Sequence, residues 1–401
     1  MDRARSARQR QFDAWSEGEA LTREHVERMR AKDAAAESAP HGAANGVSGA
    51  VLAKDAAAAG KAPHGAAHAG SGSSAGGARV LSDADDAHAL LADDASALLG
   101  DDAHNLSNAD GAPVPANAGD VLAPANADGF VLHVLASGSK GNAAIVQLGD
   151  AAILIDCGIT KKALFERCDA VGFDPFSLSA VLVTHDHADH TKGLGVLYRA
   201  LAKHGVHPPL VTTAAVHAAS APIREVEELT EVRHVHASDD FTLAGLHVVS
   251  FATSHDAAES MGFRFEGERA PRANGVAGET DALGYITDSG VLSDEALACL
   301  SDVRLLALES NHDAHLLEIG PYPSYLKRRV ASDVGHLSNA QSAAYLEQLL
   351  SARLERVVGM HLSETNNEPL LAARTAECAL DRACHPARYV AAAQHRAITL
   401  W

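Results

Sequence analysis

Thr184-His185-Asp186-His187-Ala188-Asp189-His190 closes the apolar run Ala180-Val181-Leu182-Val183 and packs four metal-ligating residues into seven positions. His185 and His187 stand two apart at the end of a predicted strand, so an extended or turning backbone can aim both imidazoles the same way. Asp189 and His190 continue around the turn toward a second ion. Neutral imidazole suits Zn(II), Fe(II) or Mn(II), and a carboxylate adds the negative charge that holds a dication. The bland alternative is a loop of solvated histidines. Four residues cannot complete two coordination shells, so the pattern demands further ligands at strand ends downstream. Three candidates follow apolar runs: His255 in FATSHDA, Asp288 in GYITDSG and His361 in VVGMHLS. Layered α/β folds present site residues from such loops.

Working outward, FVLHVLAS, AAIVQLG and AAILIDCG from Phe130 onward are short β-type runs separated by turns, the pattern of a meandering sheet. A predicted helix (TKKALFERCDAVG), the strand AVLVTH and the helix GLGVLYRALAKHG follow. Next come strands PLVTT, FTLAGLHVVSFATSH, MGFRFEG, ALGYITDSG and VRLLALESN, a helix around NAQSAAYLEQLLSA and a strand RVVGMHLS. Strands and helices alternate in two rough halves. This order predicts an α/β architecture with two face-to-face sheets and helices outside, a four-layer αββα sandwich. Residues 266–280, polar and rich in Gly and Pro, read as a mobile hairpin insertion.

Residues 1–128 differ in kind. After a charged start they become Ala, Gly, Ser, Asp and Asn with scattered His and Pro, lacking the branched and aromatic residues that offset ordering entropy. They read as a mostly disordered low-complexity region, with 129–401 as one folded domain. The 47% apolar content overstates the core, because much of it is alanine in this first region. Net charge is −19, and neither region is basic: residues 1–128 carry 11 Lys/Arg against 19 Asp/Glu, and the rest 22 against 33. That balance gives no support for nucleic-acid binding. Five cysteines without CxxC spacing argue against a disulfide framework or a thiolate zinc site. With no apolar leader segment and no run of about 18 apolar residues, a soluble, cytoplasmic, membrane-free protein is expected.

The blocks SGSKGNA (137–143), THDHADH, SHDA (254–257), ITDSG (286–290), ESNHD (309–313), YPSYLKRRVASDVGHLSN (322–339) and HLSETNN (361–367) resemble, in order, those of the metallo-β-lactamase superfamily. Within it they are similar to the YycJ/WalJ group of bacterial proteins, over about residues 130–400. HxHxDH alone marks the superfamily, whereas ESNHD, DVGHLSN and HLSETNN are more specific. The resemblance implies His185, His187 and His255 on one metal, Asp189, His190 and His361 on the other, and Asp288 between them. It implies two divalent ions, zinc first and manganese second, and Asp156 as a brace for the histidine loop. Its plain alternative is a turn-capping role before Gly158. Two ions about 3.5 to 4 Å apart acidify a bridging water and clamp the attacked oxygen, which accounts for hydrolysis without choosing the bond.

His336, read as starting a helix, resembles the non-ligand histidine that superfamily phosphodiesterases place beside the leaving-group oxygen. With Asp189 it makes the expected catalytic pair, its protonating step contributing about 10² to 10⁴ in rate. A histidine in a polar loop is the rival reading. Ser139 and Asn142 in the glycine-rich turn, and Asn311 and His312 after a strand, are candidate substrate contacts. Lys327, Arg328 and Arg329 either follow a phosphate backbone or form a solvated helix face. By resemblance, a bridging Asp288 disfavours a β-lactamase. The short Asp288-to-His361 interval excludes the inserted domain of messenger-RNA-processing relatives, and the core lacks the exosite arm of transfer-RNA-processing ones. The resemblance thus points to a nucleic-acid substrate and a 5′ to 3′ exonuclease on DNA. A thioester or lactone hydrolase and a catalytically idle regulatory protein stay open as alternatives.

Overall fold

The computed structural model describes residues 128–269 and 278–401. The expected disorder before residue 128, and the tip of the expected insertion, lie outside these residues. Strand β3 (Ala151–Ile155) sends Ile153 and Ile155 into one apolar cluster and Ala152 and Leu154 into another. Period-two alternation with both faces apolar is what a sheet covered on both sides requires. Strand β12 (Arg356–Met360) repeats the pattern, with Val358 and Met360 on the shared side and Val357 on the other.

Each sheet has seven strands. The first runs β14 (Ile398–Leu400), β1 (Val131–Ala136), β2 (Ala143–Leu148), β3, β4 (Ala180–Leu182), β5 (Leu210–Thr212), β6 (Val232–His234). The second runs β13 (Arg388–Ala391), β12, β11 (Leu305–Glu309), β10 (Thr280–Tyr285), β9 (Met261–Glu268), β8 (Leu246–Ala252), β7 (Asp240–Leu243). In both, an antiparallel meander passes into parallel pairs, β3-β4-β5-β6 in one and β10-β11-β12-β13 in the other. The two halves seen in the sequence are therefore two similar sheets.

Leu132, Val146 and Ile155 of the first sheet meet Val248, Phe263, Leu283 and Val358 of the second in the central layer. Outside the first sheet lie α1 (Lys161–Ala170) and α3 (Leu194–Ala202), burying Leu164, Leu197 and Leu201. Outside the second lie α6 (Asp294–Leu300), α9 (Asn339–Leu349) and α10 (Pro369–Arg382), through Leu300, Leu346 and Leu380. These four layers are the αββα sandwich.

A buried ion pair at the starts of β10 and β11 ties the second sheet to Phe130, directly before β1 of the first. Arg304 donates to Asp281 through Nε at 2.9 Å and Nη2 at 2.6 Å, and through Nη2 to the Phe130 carbonyl at 2.8 Å. Asp281 also accepts from Phe130 N at 2.8 Å.

Two local readings change. FTLAGLHVVSFATSH is a hairpin of β7 and β8, folded where Ala244 (φ 51°) and Gly245 (φ 83°) both adopt positive φ, the backbone that a two-residue turn needs. His336 stands before its helix. Ser338 is the N-cap of α9 and forms a reciprocal capping box with Gln341, so the helix cannot begin earlier. The strands on either side of the expected insertion, β9 and β10, pair antiparallel, with Glu268 opposite Thr280. No helix among the described residues is long and apolar enough to cross a membrane.

Candidate metal centre

Parallel strands end on the same side, so the loops after β3, β4, β10, β11 and β12 converge. They deliver Asp156, the His185–His190 segment, Asp288, Glu309 and His361 to one place, and the loop after β8 adds His255. Three of these residues are backbone outliers: Asp156 (φ 60°), Asp288 (φ 54°) and His361 (φ 56°) occupy the left-handed region that β-carbons disfavour. Such strain persists where surrounding structure enforces it, and it concentrates at functional sites.

Two donor sets face each other. In the first, His187 Nδ1 lies 3.1 Å from His185 Nε2 and 3.3 Å from His255 Nε2. Ligand bonds of 2.0–2.1 Å in a tetrahedral zinc site put nitrogens about 3.3 Å apart, so this spacing fits one small cation. In the second, His190 Nε2 is 3.6 Å from Asp189 Oδ2 and 3.3 Å from Asp288 Oδ2, and His361 Nε2 is 3.6 Å from Asp189 Oδ2. The buried His361 Nε2 has no hydrogen-bond partner. Asp288 reaches both sets, its Oδ1 lying 3.8 Å from His255 Nε2. Orphaned and converging donor atoms of the types that borderline-soft dications prefer make the residues present a fit for two such ions.

Charge follows the same division. Burial holds His185, His187 and His255 below the ordinary imidazole range, leaving neutral nitrogens as ligands must be. Burial opposes charge at His190 too, but Asp288, Asp156 and Asp189 outweigh it and hold that group well above the ordinary range. His361 is likewise pushed up to about 10, against burial, by the neighbouring carboxylates of Asp288, Asp189 and Glu309. Burial would raise Asp288, yet His361 and His190 keep its carboxyl well below the usual range. The second set is therefore a concentrated negative field, protonated on its imidazoles and able to exchange those protons for a cation.

Outer partners fix the rings of His190, His185 and His255. Asp156 Oδ2 accepts from His190 Nδ1 at 2.7 Å and from Thr184 Oγ1 at 2.9 Å, and Thr184 Oγ1 lies 2.9 Å from His185 Nδ1. The Gly335 carbonyl accepts from His255 Nδ1 at 3.1 Å. Carboxylate and carbonyl partners of this kind set the tautomer and aim the other nitrogen.

Glu309 was not singled out in the sequence. It is fully buried, and its Oε1 accepts from His336 Nδ1 at 2.8 Å and His361 Nδ1 at 3.2 Å. Its Oε2 accepts from Ser289 N at 2.8 Å and Leu337 N at 3.4 Å. The signal was present: an acid closing the apolar run LLAL of β11, as His361 closes that of β12. Held this way, His336 stands with its ring 5.0 Å from that of His255 and 4.9 Å from that of His361. Its side chain is 18% exposed. Together with the partly exposed His187 and Asp189 it marks the mouth of the centre.

The candidate substrate contacts are placed differently from one another. Ser139 is exposed at the tip of its turn. Asn142 is buried, its Nδ2 lying 2.9 Å from His190 Nε2 and 3.3 Å from Asp189 Oδ2. Asn311 is buried and donates to the His361 carbonyl at 2.8 Å, holding that residue's backbone. His312 is buried in the wall with Nδ1 unpartnered, and burial pushes its imidazole down to about 4. On α8 (Ser324–Val330), Lys327 donates to the Glu318 carbonyl at 2.7 Å and Arg329 pairs with Asp256, beside His255.

A family model described as the beta-lactamase superfamily domain matches residues 151–362. Exodeoxyribonuclease YycJ of Bacillus anthracis is 33% identical over 245 residues, covering 61% of this chain and 86% of that relative. Exodeoxyribonuclease WalJ of Streptococcus pneumoniae is 29% identical over 255 residues, covering 62% and 87%. Among solved structures, the metallo-beta-lactamase fold protein YhfI of Bacillus subtilis aligns at 16% identity and a TM-score of 0.49, over 68% of this chain and 100% of that one. With the family model spanning more than half of its length, the chain belongs to the beta-lactamase superfamily domain family, a family of metallo-β-lactamase-fold hydrolases.

Proposed function

We propose that the protein is a dinuclear metal-dependent phosphodiesterase that degrades DNA from its ends as a 5′ to 3′ exonuclease. The observation that carries this reading is the Glu309–His336 pair. A histidine outside both donor sets, tethered through Nδ1 to a buried carboxylate at 2.8 Å, has its other nitrogen left for a departing oxygen. A leaving alkoxide needs a proton, and a positioned imidazolium supplies one. The two similar relatives named as exodeoxyribonucleases support the choice of DNA.

His185, His187 and His255 would hold one cation, and Asp189, His190 and His361 the other, with Asp288 shared. Zinc suits this donor set, and manganese is the second choice. When bound, such a pair supplies a nucleophilic water near neutral pH and positive charge for the phosphoryl oxygens. The chain's own residues do the rest. Asp156 and Thr184 keep the histidine loop oriented, and Glu309 fixes the His336 ring. Asn311 and Ser137 hold the His361 backbone, the latter by accepting from His361 N at 2.7 Å.

Incubating the full chain with 5′-labelled and 3′-labelled DNA and RNA, with Mn(II) or Zn(II), tests this. Release of labelled mononucleotide from 5′-labelled DNA, abolished in Asp189→Ala, is the expected result. Absence of cleavage of either polymer, with turnover of thioester or lactone substrates instead, refutes it.

A further inference from the structure

One flank of the centre is basic in an otherwise acidic chain. Four segments meet there: 137–142, 157–165, 188–196 and 391–401. Gly158 N donates to the Asn142 carbonyl at 2.8 Å, and Asn142 N to the Asp189 carbonyl at 2.8 Å. Gly193 N donates to the Cys157 carbonyl at 2.7 Å. From the C-terminal segment, the buried Gln394 grips the first by accepting from Lys140 N at 2.8 Å and donating to the Gly141 carbonyl at 2.7 Å. These segments carry five Lys/Arg and one acid, Asp189, which is itself in the second donor set. The remainder of the chain holds 28 Lys/Arg against 51 Asp/Glu, so the local excess runs against the background.

The cations are exposed, and Lys140, Lys192 and His395 are joined by direct contacts. Lys192 Nζ donates to the Lys140 carbonyl at 2.8 Å. Lys140 Nζ lies 3.0 Å from Glu364 Oε2, whose Oε1 is 3.3 Å from His395 Nε2. Arg396 follows, and Lys161 opens α1. Glu364 is three residues beyond His361, and Asn142 touches His190 and Asp189, so this face begins at the second donor set.

We propose that this face, formed by Lys140, Lys161, Lys192, His395 and Arg396, is the track along which the phosphate backbone of a DNA strand lies as it enters the centre. The inference rests on the nuclease reading and deepens it, by saying how an acidic protein holds a polyanion. Spaced exposed cations match successive phosphates, and Glu364, bridging Lys140 and His395, is displaced when phosphates take its place. An overall negative surface repels DNA elsewhere, so the strand is confined to this approach.

The test uses the full chain loaded with Zn(II) or Mn(II). Anisotropy with fluorescein-labelled single-stranded DNA is measured from 50 to 300 mM KCl for wild type, for Lys140→Ala/Lys192→Ala/Arg396→Ala, and for the remote control Arg374→Ala/Arg382→Ala on α10. Each lost phosphate contact removes about 0.7 from the slope of log affinity against log salt, so the triple variant loses about 2 while the control keeps the wild-type slope. At 150 mM KCl its affinity falls at least tenfold, and in cleavage assays KM rises more than kcat falls. Equal slopes and affinities in triple variant and wild type overturn the track, as does a matching loss in the remote control. Binding is read without turnover: a wild type that binds in this way but does not cleave would refute the nuclease activity alone, and one that cleaves with an unchanged triple variant would refute the track alone.

Discussion

Replacing Glu309 by Gln removes one charge from the centre while keeping the side chain's shape. The carboxylate accepts four hydrogen bonds, from His336 and His361 on Oε1 and from Ser289 N and Leu337 N on Oε2. A glutamine offers one oxygen and one NH2, so one of these faces must set donor against donor. A hydrogen bond to a charged group contributes about 1.5 to 3 kcal/mol. Losing that much of the force orienting His336 lowers turnover between about 10-fold and about 150-fold. His336→Ala, which removes the proposed proton donor itself, costs about 10² to 10⁴. The assay compares kcat on DNA with kcat on bis(p-nitrophenyl) phosphate. A nitrophenolate departs without a proton, so both variants lose less on the nitrophenyl ester than on DNA. Burial would raise the Glu309 carboxyl, but His336 and His361 keep it below the usual range, so it stays charged throughout the working pH range. Equal losses on the two substrates, or full activity of Glu309→Gln on DNA, would refute the assignment of His336 as proton donor.

Gly158→Ala should disturb the histidine loop, since a β-carbon there would stand 1.4 Å from the Asp189 carbonyl oxygen and 2.8 Å from Asn142 N. Metal retained after dialysis, read by elemental analysis, is expected to fall below that of wild type, and full retention would contradict the contact. Asp281→Asn leaves Arg304 buried without its charge partner, at about 3 to 5 kcal/mol. Burial would raise the Asp281 carboxyl, but Arg304 and the Phe130 amide hold it below the usual range, so its contribution is present above about pH 3.9 and lost as pH falls through its lower folded-state value. Urea midpoints of variant and wild type should therefore lie apart at pH 7 and converge in acid, and a gap that is constant with pH would count against this.

Much of this was legible in the sequence because an apolar run broken by His, Asp or Glu is rare and informative. Val183 to His185, Ile286 to Asp288 and Met360 to His361 each announce a strand end carrying a polar group. Glu309 fits the same rule at the end of β11, two residues before Asn311 and His312 in the loop that follows. The direction in which those side chains turn is a property of tertiary packing. Asn311 faces the His361 carbonyl and Asn142 the second donor set, and no local pattern encodes that choice. The hairpin at Ala244–Gly245 was hidden since only one of its two turn residues is of the type that favours positive φ. The pairing of β14 with β1 joins residues over 260 positions apart, beyond the reach of periodicity. Net charge averages over the chain, whereas the cations beside the second donor set come from four separate segments that only folding brings together.

Anomalous diffraction from crystals of the zinc-loaded protein, collected on both sides of the zinc edge, tests the metal centre most directly. Two peaks about 3.5 to 4 Å apart are expected, one among His185, His187 and His255 and the other among Asp189, His190 and His361, with Asp288 reaching both. A single peak, or none, in fully loaded crystals would contradict a dinuclear centre.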